Sequence, residues 1–198
     1  MNLKEIIAAY RPFNEQEAQD RQQMLDLLDY APDLLLRKNT AAHFTASAWV
    51  VSPRRDQILL CWHNIYRSWA WLGGHADGEE DLLAVALREV QEESGLVHVH
   101  PVSEDPFSLE TLTVDGHIKH GAYVSSHLHL NVTYLLEADP AEAVRIKPDE
   151  NSGVRWFAVE AGLAACSEPW MVEHVYRKLV LKMKNIETLK NVSEEEEK

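Results

Sequence analysis

Residues 73–96 read GGHADGEEDLLAVALREVQEESGL, a stretch with seven carboxylates and four glycines. From Asp81 to Ser94, the apolar residues Leu83, Leu87 and Val90, with the small Ser94, recur at i, i+4, i+7 and i+11, which is one face of an α-helix. Glu89, Glu92 and Glu93 fall at i, i+3 and i+4 on another face. Like charges at that spacing cost about 0.2–0.5 kcal/mol per pair, so a cation belongs among them. Carboxylate oxygens converging without sulfur or imidazole suit a hard ion such as Mg²⁺ or Mn²⁺, which keeps waters and substrate phosphates among its ligands. The competing reading of any glutamate-rich helix is a solvated face.

Outward from this helix, the chain changes period. Upstream, HFTASAWVVS (43–52) and QILLCWH (57–63) are rich in β-branched and aromatic residues and flank the turn-like PRRD, as a hairpin would. Downstream, FSLETLTVDG (107–116), SSHLHLNVTYLLEAD (125–139) and GVRWFAV (153–159) read as strands. SEPWMVEHVYRKLVLKMKN (167–185) reads as a closing helix, with Ser167 as its cap, Pro169 in its first turn and a stripe of Trp170, Val175, Leu179 and Met183. At the other end, Leu3, Ile6, Ile7 and Tyr10 share a helical face, Pro12 interrupts, and Asn14 with Glu17 makes a capping box for a second helix carrying Met24, Leu25, Leu27 and Leu28. Strands with helices between and after them predict an α/β layered fold. The expected organisation is an N-terminal helical extension over 1–40, one domain over 41–190 with a C-terminal helix at about 168–190, and a frayed acidic tail over 191–198.

Composition narrows the partners. A chain of 198 residues, 45% apolar, can bury one sizeable core. A formal charge of −13 argues against nucleic-acid or membrane-surface binding, which draws on Lys and Arg. No run of eighteen apolar residues and no signal-peptide pattern is present, and Cys61 and Cys166 form no metal or disulfide spacing. A cytoplasmic location is the expectation.

From Gly74 to Leu96 the chain fits G-x5-E-x7-R-E-U-x-E-E-x-G-U at every position, U being a bulky aliphatic, with Glu80, Arg88, Glu89, Val90, Glu92, Glu93, Gly95 and Leu96 in place. A chance match is below roughly one in a million at ordinary residue frequencies, which sets aside the solvated-face reading. The stretch resembles the Nudix box of the Nudix hydrolases. With its flanking strands, the resemblance extends over about residues 43–185. It implies the family's α/β/α sandwich with a mixed sheet, and metal-dependent attack of water on a diphosphate in a nucleoside diphosphate linked to another moiety. Mg²⁺ or Mn²⁺ is the implied cofactor, and the partner a small-molecule diphosphate.

The resemblance also implies roles. Glu92 and Glu93 are metal ligands pointing outward on one turn, and Glu89 is a third ligand or the general base. Arg88 holds Glu89 by a bidentate contact. Gly73 and Gly74 close a strand, and Gly74 is the candidate backbone-carbonyl ligand, since a residue without Cβ lets a metal or phosphate come close. Glu80 supports the helix start, and Gly95 ends the helix. In similar enzymes a late-loop glutamate is the base, and KPDENSG offers Asp149 and Glu150; an ordinary exposed turn is the alternative. His75, beside the glycine pair, is a candidate phosphate contact. His127 and His129 alternate with leucines, so both face one side of a strand, either in the pocket or in solvent. His117 and His120 lie in a turn-rich hairpin tip. Trp69 and Trp71 share strand parity and could wall the pocket, while Trp49, Trp62 and Trp156 suit a core. Two other readings stay open: an isopentenyl-diphosphate-isomerase-like enzyme, which would depend on Cys61, and a non-catalytic nucleotide-sensing module. The N-terminal helices could cover the sheet or mediate a homodimer.

Overall fold

The computed structural model describes residues 1–119 and 121–196, with side chains at all of these except 119 and 187–196. The chain opens with α1 (Leu3–Ala9) and α2 (Glu15–Tyr30). It continues through β1 (Ala42–Val51), β2 (Gln57–His63), β3 (Ser68–Ala70), β4 (Leu72–His75), α3 (Leu82–Ser94), β5 (Val99–Pro101) and β6 (Ser108–Val114). Then come β7 (His117–Lys119), β8 (Ala122–Val124), β9 (His127–Ala138), β10 (Asn151–Ala158) and α4 (Val159–Ala165). The short α5 (Pro169–Met171) runs through a π-helical turn at Val172–Tyr176 into α6 (Arg177–Glu196).

Eight strands form one mixed sheet in the order β10-β2-β1-β9-β5, with β3 on β2, β4 on β1 and β6 on β9. Its axis is the parallel pair β1–β9, in register from Ala42↔Leu128 to Val51↔Glu137. The expected hairpin exists, but β1 and β2 pair only beside the turn, at Val51↔Ile58. Further along, β1 takes β4 as partner instead, at Thr45↔His75 through Ala48↔Leu72. That exchange carries the glycine pair into the middle of the fold. β7 and β8 form a separate hairpin, whose His120 lies outside the described residues.

Alternation along β1 and β9 builds two cores, one on each face. Phe44, Ala46, Ala48 and Val50, with Leu130, Val132 and Leu136, pack beneath α3 and against Leu3, Ile7 and Met24 of the N-terminal helices. Trp49, Val51 and Leu135 face Leu163 of α4 and Val175, Tyr176, Leu179 and Met183 of the C-terminal helix. The product is an α/β/α sandwich. Of the two uses foreseen for the N-terminal apolar residues, Leu3, Ile7 and Met24 take the intramolecular one.

Three local expectations need correction. Asn14 caps α2 by accepting from the Glu17 N–H at 3.0 Å, but Glu17 does not return the bond. Its side chain is fully buried and serves the core; the reciprocal capping box stands instead at Asn2 and Glu5. Trp170 is half exposed against His174 and not part of the buried stripe. Glu168, not Ser167, occupies the cap position of α5. α6 runs to Glu196, and residues 197–198 of the acidic tail lie outside the described residues. Among the described residues, no helix is long and apolar enough to cross a membrane.

Candidate metal-binding active site

Helix α3 is held at both ends by its own sequence. Asp81 caps the start by accepting from the Ala84 N–H at 3.0 Å. Gly95, at φ 75°, ends it in the left-handed region that a residue without Cβ enters at no steric cost. The buried stripe is Leu82, Val85, Ala86, Val90 and Ser94, with Leu83 and Leu87 only partly covered. Its phase differs by about one residue from the expected stripe, and the difference moves a carboxylate.

Glu93 does not point outward beside Glu92. It is 4% exposed and its Oε2 accepts from the Gly73 N–H at 3.0 Å. Burial pushes its carboxyl up to about 8; the Gly73 N–H opposes the rise, and the charges of Glu89 and Glu150 add to it. Glu89 is half-buried and lies flat against Gly74: a Cβ built there would stand 2.4 Å from the Glu89 Cδ. Burial, then the Glu92 charge, raise the Glu89 carboxyl as well. Glu92 is exposed.

The loop before β10 brings the remaining partners. Lys147 Nζ lies 2.9 Å from Glu92 and 3.0 Å from Glu150, so one ammonium bridges a helix carboxylate and a loop carboxylate. Burial would lower the lysine, but its hydrogen bonds to Glu92 and Glu150 prevail and hold it charged. Asn151 pins the loop by donating to the Glu93 carbonyl oxygen at 2.9 Å. Both loop acids are exposed, and Glu150 is the one that makes the shared ion pair. Arg88 reaches Glu89 through a single 3.8 Å contact, not a bidentate one. Lys147 and Asn151 were missed in the sequence; a lysine three residues before the candidate glutamate was the available signal.

The other candidate residues sit across the sheet. Cross-strand partners share a face, so Gly74, opposite Ala46, looks toward α3, while His75, opposite Thr45, looks away from it. His75 ends β4 and is not in a loop; its ring meets those of His43 and His129. His127 and His129 share this face, partly buried and 3.2 Å apart at their Nε2 atoms. His43, directly opposite His129, was missed. Trp71 and Trp69 both pack against the core on this side, Trp71 edge-on to Tyr176 and Trp69 edge-on to Phe157 and Trp62. Cys61 is fully buried, its thiol 3.7 Å from the Trp71 carbonyl, and burial raises it.

Glu93 and Glu89 thus lie against Gly73 and Gly74 of β4, and Glu92 and Glu150 are joined to each other through one ammonium. The donors are all oxygen, two of the acids are strained toward the neutral form by burial, and the Gly74 backbone is open to close approach. This set fits a hard divalent cation.

Residues 42–179 match the family model described as the NUDIX domain. No curated protein matches the sequence. Among solved structures, the fold is similar to an Ap4A hydrolase from C. elegans in a binary complex, at 19% identity over 73% of this chain and 97% of that one, with TM-score 0.53. It is also similar to the E. coli dihydroneopterin triphosphate pyrophosphohydrolase, at 14% identity over 70% and 94%, TM-score 0.53. A MutT protein from Methanosarcina mazei Go1 gives 16% identity over 71% and 94%, TM-score 0.54.

Proposed function

The chain belongs to the NUDIX domain family, and from that premise we propose that it hydrolyses a diphosphate linkage in a nucleoside diphosphate linked to another moiety, or a similar small metabolite, by divalent-metal-dependent attack of water on phosphorus. The observation that carries this is the placement of Glu89 and Glu93 against Gly74 and Gly73, with Glu92 of the same helix tied through Lys147 to Glu150. An acidic site can hold a polyanion only after its own charge has been reversed.

Glu89, Glu92, Glu93 and the Gly74 carbonyl would hold the ion, Mg²⁺ or Mn²⁺. When bound, such an ion neutralises charge on the phosphoryl oxygens and lowers the pKa of the attacking water. The residues do the rest. The Gly73 N–H fixes Glu93 against the strand, so its free oxygen keeps one direction. Lys147 offsets part of the charge of Glu92 and Glu150, and displacement of its ammonium would free Glu150 to take a proton from water; Glu89 is the alternative base. Arg88 steadies Glu89 through charge alone. The candidate substrate contacts Trp71, His75, His127 and His129 lie on the sheet face opposite these carboxylates.

The Ap4A hydrolase and the dihydroneopterin triphosphate enzyme are both named for phosphoanhydride substrates. They support the same bond class here. Cys61, buried with a raised pKa, is unsuited to proton transfer, which removes the main support for an isomerase. The retained box carboxylates disfavour a purely sensing module. Two free thiols are consistent with a reducing cytoplasm. The test is a screen of nucleoside diphosphate sugars, ADP-ribose, dinucleoside polyphosphates, nucleoside triphosphates, coenzyme A and prenyl diphosphates with Mg²⁺ or Mn²⁺. Released phosphate is read after phosphatase coupling. Turnover of at least one compound, dependent on the metal, is expected; none with any would overturn the reading.

A further inference from the structure

On the sheet face opposite α3, imidazoles from three strands meet. His43 and His129 are direct neighbours across the β1–β9 pair, and His75 joins them from β4, on the other side of β1. Their ring centroids are 5.0 Å (His43–His129), 5.1 Å (His43–His75) and 4.9 Å (His75–His129) apart. One ring nitrogen of each lies within 4.8 Å of the others. Imidazoles bound to one tetrahedral zinc, with Zn–N of about 2.1 Å, have centroids about 5 Å apart.

Hydrogen bonds set the tautomers. His43 Nδ1 lies 3.0 Å from the Asn39 carbonyl oxygen, which can only accept, so Nδ1 carries the proton and Nε2 the lone pair. His43 is 4% exposed, and this Nε2 has no hydrogen-bond partner among the described residues, a costly state for a buried polar atom. His127 Nδ1 donates to the Ser125 carbonyl oxygen at 2.8 Å, which leaves its Nε2 to accept from His129 Nε2–H at 3.2 Å. His129 therefore has its lone pair on Nδ1. Burial disfavours the charged form of both His43 and His129. A metal-binding histidine characteristically donates its other ring N–H to such an acceptor.

We propose that His43, His75 and His129 form a binding site for a Zn²⁺-class transition-metal dication, distinct from the carboxylate site, with His127 holding His129 in its metal-binding tautomer. The inference stands on these residues and not on the catalytic reading. The two donor sets differ in kind: carboxylates on the α3 side suit Mg²⁺ or Mn²⁺, whereas three imidazoles select a softer ion. Neighbours Gly74 and His75 serve opposite faces of one strand, so the sites are adjacent yet separated by the sheet. An ion held by three histidines fastens β1, β4 and β9 together, and among the described residues no fourth His, Cys, Asp or Glu joins the group.

The full-length protein, stripped by chelator, is titrated with Zn²⁺ against a chromophoric chelator, and separately with Co²⁺ as a spectroscopic probe. One equivalent of Zn²⁺ should bind, and Co²⁺ should show the strong visible absorption of tetrahedral coordination. His75→Gln and His129→Gln should each weaken Zn²⁺ more than about tenfold and remove the Co²⁺ bands, with His127→Gln weakening it by about 10- to 100-fold. Glu92→Gln and Glu93→Gln should leave both signals intact. Partly exposed His75 is the variant expected to fold normally, checked by circular dichroism. The proposal is overturned if wild type binds no equivalent, if His75→Gln and His129→Gln bind as wild type does, or if the equivalent is lost in the glutamate variants instead.

Discussion

At the residue scale, Glu93 links packing to chemistry. Its carboxyl is raised from the ordinary 4.5 to about 8, so the metal-free folded protein keeps a proton that the unfolded chain releases. The stability this contributes is complete below about pH 4.5 and is lost as pH rises through about 8. Thermal melts of metal-free protein should fall across that window, and Glu93→Gln should flatten the decline. Mn²⁺, which competes with the proton, should raise the melting temperature more at about pH 8 than at about pH 6. Gly74 gives a second test. Its Cβ would meet the Glu89 carboxylate, the far end of a flexible side chain, so Gly74→Ala should fold while cutting kcat by about tenfold or more as Glu89 is displaced. The glutamates were legible from spacing; the burial of Glu93 was not. Leu82–Leu83 and Val85–Ala86–Leu87 supply apolar residues to two adjacent helical faces, and only packing on β1 and β4 chooses between them.

At the element scale, the loop from Lys147 to Asn151 completes the cluster, joined to α3 through Asn151 and the Glu93 carbonyl. Lys147 lies between Glu92 and Glu150, where it would compete with a cation bound as proposed. Lys147→Met should therefore tighten Mn²⁺ binding several-fold in a calorimetric titration while lowering metal-free stability, because the acids then repel unopposed. An unchanged Mn²⁺ affinity would show that the lysine does not compete. KPDENSG was legible as a turn with acids, but its docking on α3 depends on contacts 55 or more residues apart, such as Lys147 to Glu92. The strands were visible in their periodicity. The parallel β1–β9 register, which sets His43 against His129, has no local signature.

At the scale of the whole molecule, the N-terminal helices are bonded to the domain through its interior. Glu17 of α2 is fully buried and meets Lys178 at 3.3 Å and Lys182 at 2.7 Å on α6, and Lys178 meets Glu110 of β6 at 3.0 Å. Ser108 donates to the same Glu17 oxygen at 2.7 Å. Glu17→Ala leaves buried ammonium groups short of a partner and should cost about 3–5 kcal/mol in denaturant unfolding. A loss below about 1 kcal/mol, the scale of an exposed pair, would mean the network is solvated. Sequence suggested a capping role for Glu17 because Asn14 stands three residues before it; its real partners lie on elements that only the fold brings near. The account as a whole rests on water attacking a phosphorus atom under control of the box carboxylates. The most direct measurement is hydrolysis of a substrate from the screen in ¹⁸O-water, followed by ³¹P NMR of the products. Label in a phosphoryl product, formed only with Mg²⁺ or Mn²⁺ and slowed at least about a hundredfold in a folded Glu93→Gln variant, is the predicted result. Metal-independent cleavage, or undiminished turnover in that variant, would contradict it.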